Sequence, residues 1–382
     1  MLVKSRKATH GQLRRFNRQL LLRAVYSGLA NSRADLAHET GLAKPTVSDL
    51  ISELIDEGYL IETGLGQSTD EGGKRPRLLR FVPEARHMIG VSMTSQRALG
   101  VLTDLNGRVL VEHYADLPGT DDSAVYEVLC QVINGLIAQL DSPLLAIGVG
   151  VPGLVDSEMG IVHYAAHLDW HDYALTARLR ESYEVPAYVA NSTALAALGQ
   201  FAFAQTHNAE NLVTLMVDDT VGIGTVLDGN VFHGGGDIGN LLLANIDGKP
   251  DALENHLGWG HIRPKLEATL GHLYPEEAIT YLHLRQAVTD GRGDAIALQQ
   301  TLADALAPVF AWIIALLRPD HISLVGSIAD LGDPLLRAAR SSTARLISPT
   351  LMNSVTFSVE NTPHLVAVGA VAHTLGQELG LL

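Results

Sequence analysis

Cysteine is nearly absent. The single Cys130 in 382 residues excludes an internal disulfide and any zinc site built on several thiolates, and its apolar neighbours suggest a buried structural thiol. Long apolar runs are missing too: no uninterrupted stretch is long enough to cross a bilayer, and the basic N-terminus carries no signal-peptide core. A cytoplasmic location with no membrane partner is therefore expected. Positive charge is scarce overall, with 27 Lys+Arg against 42 Asp+Glu and a net charge of −15. Spread evenly, that balance would oppose contact with nucleic acid. It is not spread evenly. Residues 1–87 hold 14 Lys+Arg and 10 Asp+Glu, a balance of +4, whereas the remainder carries −19. A basic head on an acidic body suits a DNA-binding domain joined to something that does other work. The length, with 47% hydrophobic and 18% charged residues, suits two or three soluble domains with real cores.

The head is organised around residues 32–60. Ser32 can cap a first helix carrying Leu36 and Ala37, and Gly41 opens a tight turn. A second helix carries Val47, Leu50, Ile51, Leu54 and Ile55 at helical spacing. This is the outline of a helix-turn-helix. Pro45 stands near the first helical position, where its missing N–H costs nothing. The apolar stripe faces inward and leaves Lys44, Thr46, Ser48 and Asp49 at the exposed start, where a helix-turn-helix meets base edges in the major groove. The bland alternative is a helical hairpin that packs on another domain, and the flanking residues argue for DNA. Residues 1–30 contain seven basic residues and no acid. After the motif, two short strands flank a glycine-rich tip and return through Lys74-Arg75-Pro76-Arg77, a hairpin wing whose basic arm can lie along phosphates. A helix over 17–30 is expected to pack beneath the motif, giving a head of residues 1–82 and a short joint at 83–87.

From Met88 the pattern changes to strands. Residues 89–93, 98–104 and 109–111 read as an antiparallel meander with Asn106-Gly107 as its tight turn, followed by an amphipathic helix over 122–141 and a buried strand over 144–151. A second half begins near Asn211 with strands at 212–217 and 221–227. Long helices then dominate 275–318, a last buried strand runs over 321–326, and a final helix covers 365–375. Alternating strands and helices in two halves indicate an α/β body, 88–382, with a cleft between its lobes.

With these stretches in view, the chain resembles the ROK family of sugar kinases and sugar-responsive repressors over nearly its whole length. Gly148–Asp156 (GVGVPGLVD) is similar to the family's GIGVPGPVD, and Val189–Ala197 (VANSTALAA) to VENDANAAA. Val221–Gly239 is similar to its glycine-rich GIGAGIV segment, and Gly-Gly-Lys-Arg-Pro at 72–76 resembles the GGRP wing of the repressor branch. The resemblance implies a winged helix-turn-helix (α+β) followed by a two-lobed, actin-like and hexokinase-like α/β body. It also exposes departures. Where family kinases have an Asp-Gly-Gly-Thr type loop for phosphate and magnesium, this chain has Ser92-Met93-Thr94-Ser95-Gln96, with no glycine to admit a polyphosphate and no carboxylate at Ser92 for the metal. Where they have a catalytic Asp after Asn, it has Ser192 beside Asn191, and serine has no pKa suited to proton abstraction near neutrality. The family's zinc site is replaced by Asn240 and a cysteine-free segment, so no metal is expected.

No catalytic residue or cofactor is therefore expected. The resemblance places four residues in a sugar-type effector site: Asn191; Asp237, where the family has Glu; Glu254, matching the Glu of GCLE; and His167, in place of an Asn that faces the sugar. The alternative for Asn191 and Glu254 is a purely structural role as helix caps or surface residues. The reading as a whole is a transcriptional regulator, a repressor and homodimer, binding double-stranded operator DNA through Ser32, Lys44, Pro45, Thr46, Ser48, Lys74, Arg75 and Arg77. A sugar or sugar phosphate between the lobes would control it. The rivals are a sugar kinase with a fused DNA-binding head and an effector-free scaffold.

Overall fold

The computed structural model describes residues 10–66, 75–119, 122–203, 209–232, 236–244, 250–275 and 277–381. The head is three helices and a hairpin: α1 (His10–Tyr26), α2 (Arg33–Thr40), α3 (Lys44–Asp56), and the antiparallel pair β1 (Leu60–Leu65) and β2 (Arg77–Phe81). Ser32 caps α2, Gly41 ends it in the left-handed conformation at φ 67°, and Pro45 sits in the first turn of α3. The supporting helix begins and ends earlier than its apolar spacing suggests, because the chain turns at Gly28 (φ 72°) after Tyr26. Inward residues Leu21, Leu22, Leu36, Val47, Leu50, Ile51 and Leu54 are all essentially inaccessible.

The first lobe opens with the meander β3 (His87–Met93), β4 (Arg97–Thr103) and β5 (Val109–Asp116). It continues through α4 (Asp122–Ile137) to the buried strand β6 (Leu144–Val151). A small antiparallel sheet follows, β7 (Leu154–Asp156), β8 (Ile161–Ala165) and β9 (Trp170–Tyr173), then α5 (Leu175–Tyr183), β10 (Ala187–Asn191) and α6 (Ser192–Phe203). Its main sheet has the order β10-β6-β3-β4-β5, parallel at the first three strands and antiparallel beyond.

The second lobe repeats this plan. The meander β11 (Leu212–Val217), β12 (Val221–Leu227) and β13 (Asn230–Val231) leads through a ribbon, β14 (Leu242–Ala244) and β15 (Pro250–Ala252). Helices α7 (Leu253–Leu257), α8 (Trp259–Leu270), α9 (Tyr281–Thr289) and α10 (Gly293–Leu317) come next. Strand β16 (His321–Val325), α11 (Gly332–Thr343), α12 (Pro349–Met352) and β17 (Thr356–Glu360) complete the sheet β13-β12-β11-β16-β17. By length and composition α10 alone among the described helices could cross a bilayer. Its Leu302, Leu306, Phe310 and Ile313 lie in the core of this lobe, as in a soluble core helix.

The last helix, α13 (Leu365–Leu379), returns to the first lobe. A Cβ on Gly90 would lie 2.0 Å from the Ala367 carbonyl oxygen, and one on Gly148 2.5 Å from that of Ala370, so only glycine on β3 and β6 allows α13 to lie so close. Leu375, Leu379 and Leu381 share one apolar cluster with Leu21, Leu54 and Phe81 of the head. Residues 83–87 are no free tether. Pro83–Ala85 form a 3-10 turn, the Pro83 carbonyl accepts from Leu105 N at 3.0 Å, and the Arg86 guanidinium lies 5.0 Å from the Tyr59 ring.

Candidate DNA-binding face and effector cleft

At the start of α3, Lys44, Pro45 and Ser48 are exposed and Thr46 is half-buried. Ala43 occupies the N-cap and no side chain caps the first turn, so its backbone N–H groups, apart from Pro45, which has none, are left to solvent or an anion. Ser32 differs from its expected place at the DNA face. It is fully buried, its Oγ accepts from Asp35 N at 3.2 Å and lies 2.7 Å from Asp35 Oδ2, and its work is to fix the start of α2. Ser48 is partly occupied, since Arg33 Nη1 donates to its carbonyl at 2.8 Å and to its Oγ at 3.2 Å. Arg33, which sequence reasoning passed over, thus ties α2 to α3 and reaches Glu62 on the wing.

Arg75 and Arg77 are exposed on the returning arm of the wing, and Lys74 lies outside the described residues. Arg77 is paired with Glu62, and its hydrogen bond is the main cause that holds the Glu62 carboxyl below its ordinary range. On α1, Arg14 pairs with Glu53 and Arg18 with Glu57, while Arg15 donates to the Gln377 carbonyl. The basic surplus of the head is therefore partly spent inside the protein.

Between the lobes, the four expected effector residues line one cleft of about 240 Å³. They come from separate elements. His167 lies on the 3-10 turn before β9, Asn191 ends β10, Asp237 bridges back to Gly222 on β12, and Glu254 lies in the first turn of α7. Close packing of the lobes makes this convergence possible: a Cβ on Gly224 would lie 1.9 Å from the Thr193 carbonyl oxygen.

Asn191 holds the structural post that was the alternative for it. Its Oδ1 accepts from Thr193 N at 2.9 Å and Ala194 N at 3.3 Å, capping α6, and its Nδ2 donates to the Gly153 carbonyl at 2.7 Å. One Nδ2 hydrogen remains for a ligand. Glu254 is half-buried, and burial first, then the neighbouring Asp237, raises its pKa. Asp237 Oδ2 accepts from Asn240 Nδ2 at 3.1 Å. Asn240 also lines the cleft, with Tyr164 and Thr220; no motif marks the last two. Ser192 stands at the start of α6 with its Oγ buried and without a hydrogen-bond partner among the described residues, on the lining of the same cleft. No Lys or Arg is among the described lining residues. No group of three or more His, Cys, Asp or Glu side chains among the described residues is placed to hold a metal ion.

The profile of the ROK family matches residues 88–373. A xylose repressor of Bacillus subtilis is 31% identical over 238 residues, 60% of this chain and 61% of that protein. A xylose repressor of Bacillus spizizenii is 27% identical over 350 residues, 90% of each chain. Among solved structures, a ROK family transcriptional regulator described as a homolog of the Escherichia coli MLC protein superposes with a TM-score of 0.81 at 24% identity, covering 97% of this chain and 98% of that one.

Proposed function

The chain belongs to the ROK family, and from that premise we propose that it is a sugar-responsive, DNA-binding repressor, a cytoplasmic homodimer whose kinase-like body senses its effector. The repressors similar to it over most of their length support this reading. So does the joining of an exposed, uncapped α3 start to a body whose cleft collects polar residues from both lobes. Two heads on one two-fold axis would match a roughly palindromic operator, since one small head buries too little surface for tight specific binding. Lys44 and the first turn of α3 meet base edges and phosphate, Thr46 and Ser48 meet bases, and Lys74, Arg75 and Arg77 meet phosphate or the minor groove.

The observation that carries the effector class is the charge of the cleft. Asp237 and Glu254 face it, no Lys or Arg does among the described residues, and burial already makes ionisation of Glu254 costly. A sugar phosphate would bring like charge into that site, whereas a neutral sugar would bring hydroxyl donors to both carboxylates. The effector is a neutral sugar. His167, Asn191 Nδ2 and the orphan Ser192 hydroxyl supply the remaining polar contacts. With Ser192 in place of a proton-accepting carboxylate, the body transfers no phosphoryl group.

The test is DNA fragments selected by the full chain, titrated at fixed salt with neutral sugars and their phosphates. One neutral sugar is expected to change DNA affinity at least tenfold, about 1.4 kcal/mol of coupling, and the change should vanish in Glu254→Gln. Failure to bind any duplex at low ionic strength defeats the repressor reading. A response to sugar phosphates alone defeats the effector class, and ATP-dependent sugar phosphorylation that disappears in Asn191→Ala would establish the kinase instead.

A further inference from the structure

A second cavity, of about 230 Å³, opens where the β3–β4 turn meets the second lobe and shares no lining residue with the effector cleft. Asp218 and Asp219 from the β11–β12 turn and Asp330 line it, together with Thr94, Trp259 and Tyr281, and none of its described lining residues is Lys, Arg or His. Each carboxylate is held by a neutral donor. Ser327 N donates to Asp218 Oδ1 at 2.6 Å, Ser95 Oγ to Asp219, and Asn361 Nδ2 to Asp330. Arg285 acts on Asp330 only as the weakest of the influences on its carboxyl, behind burial. Three acids in a half-closed space, with neutral donors alone against two of them, leave negative charge without a counter-ion, which is costly.

A second, independent feature points at the same space. Tyr281 is 1% exposed, lies on the lining, and its hydroxyl has no hydrogen-bond partner among the described residues. A buried phenol without a partner is rare and costly. The Trp259 ring, 5.0 Å from that of Tyr281, adds an aromatic surface to the wall. Orphan acceptor, carboxylates and aromatic surface are together the complement of an organic cation.

We propose that this cavity binds a small alkylammonium ligand, its ammonium set among Asp218, Asp219 and Asp330, with Tyr281 Oη as an acceptor. A bare divalent ion fits less well, because no group of three or more carboxylate or imidazole side chains among the described residues comes close enough to share a metal. A polyphosphate fits worse, since it would meet acids at every turn. The ligand bridges the β3–β4 turn of the first lobe and the β11–β12 turn of the second, which already touch through Ser95 and Asp219. It therefore favours one setting of the lobes.

The experiment is calorimetric titration of the full chain with putrescine, and with 1,4-butanediol as an uncharged counterpart of similar shape. Magnesium chloride and a non-hydrolysable ATP analogue are titrated in parallel. Saturable one-site binding of putrescine is expected, with no heat from butanediol, at least tenfold weaker binding in Asp219→Asn and in Asp330→Asn, and a smaller loss in Tyr281→Phe. Two separate acid variants keep the test decisive if one fails to fold. Putrescine binding that does not saturate, or that survives both acid variants, reports only attraction to an acidic surface and overturns the proposal. Stronger binding of magnesium overturns it in favour of a metal, and of the ATP analogue in favour of a nucleotide. A neutral sugar should bind alongside putrescine, so loss of the sugar response leaves this result untouched.

Discussion

Asp218 gives the sharpest quantitative test of the body. It follows the last residue of β11, and its carboxyl is pushed up from an ordinary 3.8 to about 6, chiefly by burial. The Ser327 backbone N–H opposes that rise, and the charges of Asp219 and Asp330 add to it. The folded protein thus holds this proton more tightly than the unfolded chain does. The associated stability is fully present below about 3.8 and is lost as pH rises through about 6. Above that, the ionised carboxylate costs up to about 3 kcal/mol, an upper figure because Asp218 keeps an opening onto its cavity. Asp218→Asn removes the charge, and its amide oxygen can still accept from Ser327 N. The variant should match the natural protein near pH 4 and exceed it at pH 7, by roughly 5 °C in a body of this size. Thermal unfolding of both proteins at a series of pH values measures the difference. An Asn variant that is equally or less stable at pH 7, or whose advantage does not change between pH 4 and 7, refutes the reasoning.

Other expectations concern the head and the cleft. Arg75→Ala should flatten the salt dependence of DNA binding by close to one counterion, and Arg77→Ala by less, because Glu62 already neutralises Arg77; slopes of log affinity against log salt compare them. Ser32→Ala should lower unfolding free energy by about 1 kcal/mol through loss of the α2 cap while leaving that slope unchanged, and a changed slope would return Ser32 to the DNA face. Ser192→Ala should weaken neutral-sugar binding in calorimetry, since the orphan hydroxyl then has nothing to offer the ligand. Tyr188→Phe, which removes the hydrogen bond from Tyr188 on β10 to Glu378 on α13, should leave sugar affinity intact but reduce the effect of sugar on DNA affinity; equal coupling in both proteins would show that this bond carries no signal.

The parts legible in the sequence are those fixed by near neighbours. Ser32, Gly41, Pro45 and the apolar spacing of α3 are local signals, and the helix-turn-helix follows from them. The two meanders announce themselves through glycine turns and β-branched runs. Strand β17 went unread because its residues are neither alternating nor fully buried, so its membership in the sheet is decided by β16 alongside. The β7–β9 sheet has no sequence signature for the same reason: buried Val162, Ala165, Trp170 and Tyr173 are separated by pairs of exposed residues and do not alternate with them. Nothing local joins His167, Asn191, Asp237 and Glu254; the family resemblance grouped them, and the convergence of four elements comes from lobe packing. Side-chain engagement was beyond reach altogether. That Arg77 faces Glu62, that Asn191 caps α6 and that Tyr281 lacks a partner depend on contacts between residues distant in the chain.

The same contacts decide how a signal can travel. β10 carries Asn191 into the effector cleft and, three residues earlier, Tyr188, whose hydroxyl donates to Glu378 on α13. That bond and burial push the Tyr188 hydroxyl up to about 12, with burial the larger cause. The Glu378 carbonyl accepts in turn from Gln19 on α1 at 3.4 Å, and the Gln377 carbonyl from Arg15 at 3.1 Å. A strand advances about 3.3 Å per residue, so the step from cleft to α13 is roughly 10 Å along one rigid element. Because α13 shares a core with the head and lies pressed against β3 and β6 where only glycine fits, the head cannot swing on residues 83–87 while the first lobe stays still. Head and first lobe must move as one piece, and the freedom left for an effector is the angle between that piece and the second lobe. In the proposed two-fold dimer such a rotation would change the spacing of the two α3 helices. A ligand bound between the lobes would then act on DNA without touching the head.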